Sequence, residues 1–199
     1  MKKLLLGLAL CLLPFIVART QERQPPQKSA AQSESATPTP TPTPLQVIPE
    51  EVFDHELKDL DGRSFYLSNY RGQVFVINLW ASWCGPCREM IPELNRIYKD
   101  YRGRGVEFVL LTTEDPKVSV EGVGAAVAEF KMKYKLGWLD SKTAERLMSG
   151  RPSIPQTFVV AADGRIVTRF FGYSERVPPM IRKGIEDALN PPPASGPRP

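Results

Sequence analysis

The apolar residues of the chain lie in short runs between residues 47 and 190, with polar or Pro-rich segments on either side. The segments Val74–Trp80 and 106–111 are almost continuously apolar, which is typical of central strands buried on both faces of a sheet. Between them, apolar residues recur at helical spacing from Met90 to Tyr101, which predicts an amphipathic helix. This strand–helix–strand order favours a parallel sheet covered by helices.

The remaining segments continue the same α/β pattern. Two turn signals, Asp61-Gly62 and Asp163-Gly164, each predict a β-hairpin. Because a parallel core is combined with a terminal hairpin, we expect an α/β sandwich with a mixed sheet. The first hairpin is predicted over 52–57 and 64–67, the second over 157–160 and 165–171, helices at about 120–134, 143–148 and 174–189, and a short strand or turn at 136–139.

Both ends of the chain lack the pattern of a folded domain. Residues 1–18 begin with a methionine and two lysines followed by an apolar run, the layout of a signal peptide or N-terminal membrane anchor. Residues 19–46 are a Thr/Pro-rich linker and residues 191–199 a Pro-rich tail, both predicted to be disordered. One domain of ordinary size is therefore expected at 47–190.

The sequence of the leader leaves three fates open. It is compatible with cleavage after Ala18, with retention as an anchor, and with lipidation at Cys11. A lipoprotein signal has a small residue just before its cysteine, and Leu10 departs from that pattern. All three fates place the domain in the bacterial periplasm, either secreted into it or anchored to the inner membrane.

The net charge of +4 comes entirely from the two ends of the chain. Residues 1–46 and 191–199 hold six basic and two acidic residues, so that the 20 basic and 20 acidic residues of 47–190 balance. A domain without net charge has no electrostatic preference for a polyanion, which argues against a nucleic-acid partner.

Cys84 and Cys87 are separated by Gly85-Pro86, where an apolar strand gives way to the predicted helix. Unpaired backbone N–H groups and the positive end of the helix dipole favour a thiolate there, the reactive form of cysteine. Pro86 is compatible with the first helical turn, where an N–H has no helical partner. We therefore expect a redox pair in which Cys84 attacks a substrate disulfide and Cys87 resolves the mixed disulfide.

Three other roles of a CxxC pair agree less well with the sequence. A structural zinc site needs four ligands, whereas outside the leader the chain has these two cysteines and one histidine, His55. A covalent haem needs a histidine at position 88, which is Arg88. A structural disulfide that closes so short a loop stabilises a fold only slightly. We expect no metal, and no cofactor other than the redox-active disulfide itself.

A second candidate element is distant in sequence. Ile154-Pro155 stands just before an apolar strand, where a proline is sterically allowed and needs no functional reason. The sharper hypothesis is a cis Ile154–Pro155 peptide bond, because cis prolines form fixed, tight turns. Such a turn would expose the backbone of Ile154 for pairing with a substrate strand.

These motifs resemble the thioredoxin superfamily, and most closely its exported TlpA/ResA-like branch. The resemblance rests on segment 67–72, on segment 77–88 with its Trp-Cys-Gly-Pro-Cys motif, and on Ile154-Pro155 before an apolar strand. It implies a thioredoxin-like three-layer α/β/α sandwich with a mixed sheet and an N-terminal β-hairpin extension.

The resemblance also implies roles for individual residues. In the family the first cysteine of the motif is the nucleophile, the second resolves, and the cis-proline loop lies against the pair. These roles carry over to Cys84, Cys87 and Pro155, with Trp83, Pro86 and Ile154 as further substrate-binding candidates.

Two positions depart from the wider superfamily. Cytosolic thioredoxins bury an Asp as a proton acceptor where this chain has Asn78, and Asn is usual in the exported branch. That branch often has an acidic residue three positions after the second cysteine, where this chain has Met90. Glu89 precedes it, offset by about 100° around a helix. Glu89 and Asn78 are the candidates for proton transfer at Cys87, and a simple surface glutamate is the alternative for Glu89.

The leading functional hypothesis is a thiol-disulfide oxidoreductase that reduces exported proteins, apocytochrome c among them, and is recharged by a membrane thiol-electron donor. Gly-Pro between the cysteines is the thioredoxin pair, whose potential of about −270 mV is reducing. The alternatives are a net oxidant or isomerase, and a non-enzymatic thioredoxin-like binding or copper-handling module. A peroxidase would need a further cysteine in the domain. We expect the protein to be a monomer.

Overall fold

The computed structural model describes residues 46–191. The predicted leader at 1–18, with Cys11, lies outside these residues, as do the linker of 19–46 except for its last residue and the tail of 191–199 except for its first. Within the described part, no helix is both long enough and apolar enough to cross a membrane.

The described residues alternate between strands and helices in an order close to the predicted one. In chain order the elements are β1 (Gln46–Val47), α1 (Glu50–Phe53), β2 (Leu57–Asp59), β3 (Ser64–Phe65), β4 (Val74–Trp80), α2 (Gly85–Tyr101), β5 (Val106–Thr112), α3 (Pro116–Phe130), β6 (Lys135–Trp138), α4 (Ser141–Met148), β7 (Gln156–Val160), β8 (Arg165–Phe171) and α5 (Val177–Leu189), with 3-10 helices at Leu67–Tyr70 and Arg102–Arg104.

The strands of the described part form one eight-stranded sheet in the order β1-β8-β7-β4-β5-β6-β2-β3. β4, β5 and β6 run parallel to one another. The other neighbouring pairs are antiparallel, which gives the mixed sheet that the sequence predicts. All seven residues of β4 are buried, because β4 lies between β5 and β7 and helices cover both faces.

Apolar side chains pack on both faces of the sheet in two separate layers. Successive side chains of a strand point to opposite faces, so Val76 packs with α2, α3 and α5 while Ile77 packs with α1 and α4. The first layer includes Met90, Ile91, Leu94 and Ile97 of α2, Val123 and Ala126 of α3, and Ile181 and Ile185 of α5; the second includes Val52 and Phe53 of α1 and Leu147 and Met148 of α4. The predicted three-layer α/β/α sandwich is therefore confirmed.

The β2–β3 pair joins the sheet at the edge formed by β6. Asp59 fixes the turn after β2 by accepting hydrogen bonds from the backbone N–H groups of Asp61, at 3.0 Å, and Arg63, at 2.8 Å. Its carboxylate also accepts a hydrogen bond at 2.8 Å from Lys135 of β6. The hydrogen bond from Lys135 is the main cause that lowers the pKa of Asp59. The turn is thus tied to the central sheet by a charge pair.

The prediction was wrong at the start of the first hairpin. Val52 and Phe53 lie in α1, one turn of helix after Pro49, rather than in a strand. Both side chains are buried in the same apolar layer, whereas consecutive residues of a strand point to opposite faces. Packing against the sheet therefore overrides the preference of Val and Phe for strands.

The boundaries of two helices also differ from the prediction. α3 begins at Pro116, four residues before the expected Val120, because the Asp115 side chain caps the helix by accepting from the Lys117 N–H at 2.9 Å. It ends at Phe130 because Lys131 adopts a left-handed conformation, with φ of 52°. α5 begins at Val177 rather than near residue 174.

Replacement of Gly184 tests how closely α5 packs on the sheet. A Cβ at Gly184 would lie 2.5 Å from Cγ2 of Thr168 and 3.3 Å from Cγ2 of Val159. We expect Gly184→Ala to lower the free energy of unfolding by about 1–3 kcal/mol, as overpacking does. Gly124→Ala is the matched control, since a Cβ there meets nothing within 4 Å and Ala stabilises a helix by about 0.5–1 kcal/mol. Urea unfolding of both variants checks this, and equal stabilities would contradict the close packing.

Candidate redox site

The turn between β4 and α2 carries the two cysteines of the domain. β4 ends at Trp80, and Cys84 is the N-cap residue of α2, so its side chain lies at the positive end of a 17-residue helix. Pro86 occupies the first turn, where its missing N–H loses no helical hydrogen bond. The burial of β4 and the start of α2 therefore fix where the first cysteine lies.

Cys84 and Cys87 form a disulfide bond. The backbone N–H of Cys87 lies 3.2 Å from Sγ of Cys84 and points at it, the contact that would stabilise a thiolate after reduction. Cys84 is 5% exposed and Cys87 is 0% exposed. An attacking sulfur can therefore approach Cys84 but not Cys87.

The surface around the disulfide is partly apolar. Trp83 is 72% exposed, and Gly85 and Pro86 are also exposed. A large exposed aromatic side chain beside a reactive group is typical of a contact surface for another molecule. Trp83 and Pro86, both substrate-binding candidates from the sequence, thus lie at the surface beside Cys84.

The Ile154–Pro155 peptide bond is cis, which confirms the prediction from the sequence. The carbonyl oxygen of Ile154 lies 3.9 Å from Sγ of Cys84, so the loop before β7 lies against the disulfide. The carbonyl of Pro155 accepts a hydrogen bond at 2.8 Å from the N–H of Gly172, after β8. Residues separated by 70 positions in the sequence therefore meet at one site.

A buried polar network that the sequence analysis missed holds this loop. Gln156 is fully buried, and its amide donates hydrogen bonds to the carbonyl oxygens of Arg151, at 2.5 Å, and Ser153, at 2.7 Å. Arg169 of β8 donates to Oε1 of Gln156 at 2.5 Å and to the carbonyl of Met148, at the end of α4, at 2.6 Å. No spacing in the sequence predicts this network, because its residues come from three elements.

Arg169 is a half-buried cation whose partners are neutral. Its guanidinium stacks on the rings of Phe158, at 4.7 Å, and Phe171, at 4.6 Å. Burial, followed by the charge of Arg151, lowers the pKa of Arg169 to about 10, so that it is still charged at neutral pH. The carbonyl of Met148 belongs to the negative end of the α4 dipole, which favours a cation at that place.

A cleft of about 530 Å³ opens beside the disulfide. Trp83 and Ile154 lie on one side of it, and α4 and the loop that follows α4 form the other. Its lining includes Leu139, Ala144, Met148 and Pro152 as apolar side chains and Glu145 and Arg151 as charged ones. The lining therefore combines apolar side chains with two charged ones, and it includes Trp83, the neighbour of Cys84.

Asn78 lies on the same face of β4 as Val76 and Trp80, which pack with α2 and the cysteines. It is buried, and its amide donates hydrogen bonds to Oγ1 of Thr157, at 2.9 Å, and to the carbonyl of Gln156, at 3.3 Å. Its Oδ1 atom has no hydrogen-bond partner among the described residues. Asn78 thus links β4 to the strand that follows Pro155, and its part in proton transfer stays a prediction.

Glu89 is exposed on α2, whereas its neighbour Met90 is fully buried in the apolar layer. The charge of Glu89, after burial and Glu93, helps to raise the pKa of Tyr173. Glu89 therefore faces the surface between α2 and the segment before α5. Its assignment to proton transfer at Cys87 also stays a prediction.

His55, the chain's single histidine, is engaged away from the cysteine motif. Its Nε2 atom lies 2.8 Å from Oδ2 of Asp140, the N-cap residue of α4. Residues 46–191 contain no group of three or more His, Cys, Asp or Glu side chains placed to hold a metal ion.

The loop before the cysteines is held by a glutamate that the sequence analysis also missed. Glu114, just after β5, accepts hydrogen bonds from the N–H of Ser82 at 2.6 Å and from the Ser82 hydroxyl at 2.9 Å. Arg88 donates to the carbonyl of Ser82 at 3.3 Å. Both polar groups of the Ser82 backbone are therefore fixed, two positions before Cys84.

Known proteins resemble this chain in sequence and in fold. The thiol-disulfide oxidoreductase ResA of Geobacillus thermodenitrificans is 30% identical over 116 residues, which cover 57% of this chain and 63% of the relative. ResA of Bacillus cereus is 26% identical over 125 residues, which cover 63% of this chain and 70% of the relative. A thioredoxin-family thiol:disulfide interchange protein from Chlorobium tepidum superposes with a TM-score of 0.59 at 22% identity, over 77% of this chain and 99% of its own, a likeness in fold.

Fold, disulfide and relatives together define a thioredoxin-like thiol-disulfide oxidoreductase. The model of the AhpC/TSA family matches residues 48–169, more than half of the chain, and the chain belongs to that family. The resemblance that the sequence motifs indicate is therefore confirmed.

Asn78→Asp tests how much a buried negative charge beside the cysteines destabilises the fold. Burial raises the pKa of the new carboxyl above its unfolded value, so the variant is least destabilised below about pH 4 and loses stability as the pH rises. We expect its cost in free energy of unfolding to be about 1–3 kcal/mol larger at pH 8 than at pH 5. Asn69→Asp is the control, because Asn69 is exposed and its Oδ1 atom accepts the N–H of Tyr66, as an aspartate oxygen also would. Urea unfolding at both pH values decides, and a cost independent of pH would contradict full burial.

Proposed function

We propose that the protein reduces disulfide bonds of exported proteins, with Cys84 as the nucleophile and Cys87 as the resolving cysteine. The observation that carries the proposal is the disulfide itself: it lies at the N-terminus of α2 with only Cys84 accessible, and the cis-proline loop lies against it. In this arrangement a partner can reach Sγ of Cys84, whereas Cys87 is buried and reacts only in the second step.

The first step is attack by the reduced enzyme on a substrate disulfide. The Cys84 thiolate, stabilised by the N–H of Cys87 and by the positive end of α2, attacks one substrate sulfur. A bond forms between Sγ of Cys84 and that sulfur, the substrate disulfide breaks, and the second substrate sulfur leaves as a thiolate that takes up a proton.

The second step releases the substrate in its reduced form. Cys87 loses its proton and attacks Sγ of Cys84, which re-forms the disulfide of the enzyme and expels the first substrate sulfur as a thiolate. Two electrons pass from the enzyme dithiol to the substrate, and two protons follow them. Glu89 and Asn78 are our candidates for the proton transfer at Cys87, Glu89 from the surface of α2 and Asn78 from the buried face of β4.

Docking of the substrate uses the surface beside Cys84. The cis-proline loop brings the backbone of Ile154 next to the disulfide, where an extended substrate segment would pair with it. Trp83 and Pro86 supply exposed apolar contacts on the other side of Cys84. The cleft between Ile154 and α4 would accept a side chain of the same segment.

The proposed place of action is outside the cytoplasm, because residues 1–18 have the layout of a secretory leader. A membrane thiol-electron donor would return the disulfide to the dithiol, and with a retained leader the linker of 19–46 would let the domain reach that donor. The Gly-Pro pair between the cysteines supports a reducing role. Apocytochrome c is our candidate substrate. We further propose that the protein is a monomer.

Serine variants of the cysteines test the two roles. We expect Cys84→Ser to abolish insulin reduction by the full-length protein, because the nucleophile is lost. Cys87→Ser retains the nucleophile and should accumulate a mixed disulfide with the substrate, visible by non-reducing electrophoresis. Cys11→Ser is the control and should keep full activity, since Cys11 lies outside the described domain. Full activity of Cys84→Ser, or none in the wild type, would refute the proposal.

The reduction potential of the Cys84–Cys87 couple tests the direction of electron flow. We expect a value near the thioredoxin value of about −270 mV, far from the strongly oxidising relatives at about −120 mV. Equilibration of the full-length protein with dithiothreitol redox buffers measures it. A value above about −180 mV would instead identify a net oxidant or isomerase.

A further inference from the structure

The contact between Glu114 and Ser82 uses both oxygens of one carboxylate. Oε2 accepts the backbone N–H of Ser82 at 2.6 Å and Oε1 accepts its hydroxyl at 2.9 Å. The hydroxyl of Thr112 donates to Oε2 at 3.1 Å. A half-buried carboxylate at the end of β5 therefore receives three hydrogen bonds, two of them from the turn that leads to Cys84.

The other charged groups around this turn have partners of their own. Arg88 of α2 donates to the carbonyl of Ser82 and forms a bidentate pair with Glu129 of α3, with both oxygens at 2.7 Å. Asp115 caps α3 by accepting the N–H of Lys117. Glu114, by contrast, binds this turn through neutral groups only. Among the described residues, no cation forms an ion pair with its carboxylate.

Hydrogen bonding alone does not require a carboxylate at this position. The N–H and hydroxyl of Ser82 lie in a half-exposed turn, where water or an amide oxygen could accept from them. The N-terminus of α2 stabilises the thiolate of Cys84. A carboxylate at position 114 adds a full negative charge close to that N-terminus. Two negative groups disfavour each other's ionisation, so the charge of Glu114, bound to the backbone two positions before Cys84, acts against that thiolate.

We propose that Glu114 is a positioning residue that fixes the turn before Cys84 and whose negative charge makes the cysteine pair more reducing. The inference rests on the proposed function, in which Cys84 is the nucleophile. Stabilisation of the thiolate form makes a disulfide a stronger oxidant, and a nearby carboxylate has the opposite effect. The positioning of the turn and the effect of the charge can be tested separately, because different substitutions remove the hydrogen bonds and the charge.

Three variants of the full-length protein distinguish the hydrogen bonds from the charge. Glu114→Gln removes the charge and keeps an acceptor for the Ser82 N–H, whereas Glu114→Ala removes both. Ser82→Ala removes the hydroxyl alone. Glu121→Gln, which takes one negative charge from an exposed position of α3, is the matched control.

We expect both Glu114 variants to lower the pKa of the Cys84 thiol by about 0.5–1 unit, which speeds alkylation of Cys84 at pH 6 by about 3- to 10-fold. Their reduction potentials should become less negative than that of the wild type. Of the two Glu114 variants, Glu114→Ala alone should also lower kcat/KM for insulin reduction, by about 5- to 10-fold, because it leaves the Ser82 N–H without an acceptor side chain. Ser82→Ala should lower kcat/KM with the pKa of Cys84 unchanged.

The outcomes separate this inference from the proposed function. If Glu114→Gln changes the alkylation rate and the potential no more than Glu121→Gln does, the charge has no role and the inference is overturned. The same holds if Glu114→Ala turns over like the wild type. In both cases a wild type that reduces insulin through Cys84 leaves the proposed function intact, whereas an inactive wild type refutes the function itself.

Discussion

Every residue of β4 is buried, and the strand is paired with β5 on one side and β7 on the other, so its side chains are apolar on both faces with the exception of Asn78. Such a strand has no freedom to shift its register or its end point. The chain therefore leaves the core at one place, after Trp80, and Cys84 follows at the N-terminus of α2. The position of the accessible sulfur is a consequence of how β4 is buried.

The second half of the site depends on contacts that bind distant segments together. Ile154 and Pro155 reach Cys84 because β7 pairs with β4, and their loop keeps its shape because Gln156 is bound to two of its carbonyl groups. Arg169 extends this network to the end of α4. The β6–α4 unit is thereby coupled to the cis-proline loop, and residues of both line the cleft beside the disulfide.

The sequence predicted what local pattern and spacing determine. β4, β7 and β8, the start of α2 after Cys84, and the cis bond at Pro155 follow from apolar runs, turn signals and a motif. The sequence did not predict α1, where two adjacent strand-forming residues pack on one face. It also missed Gln156 with Arg169 and Glu114 with Ser82, because each pair is created by strand order and leaves no periodic signal.

The charges near the disulfide show a common arrangement. Arg88 is paired with Glu129, so this ion pair contributes little net field at the cysteines. Within the turn before α2, what remains are fixed dipoles, the N–H of Cys87 and the end of α2, together with the carboxylate of Glu114 that binds Ser82. Fixed dipoles do not titrate, and they favour a thiolate at any pH. The balance between a reactive thiolate and a reducing pair is therefore set by the geometry of one turn, in which a single carboxylate opposes the helix.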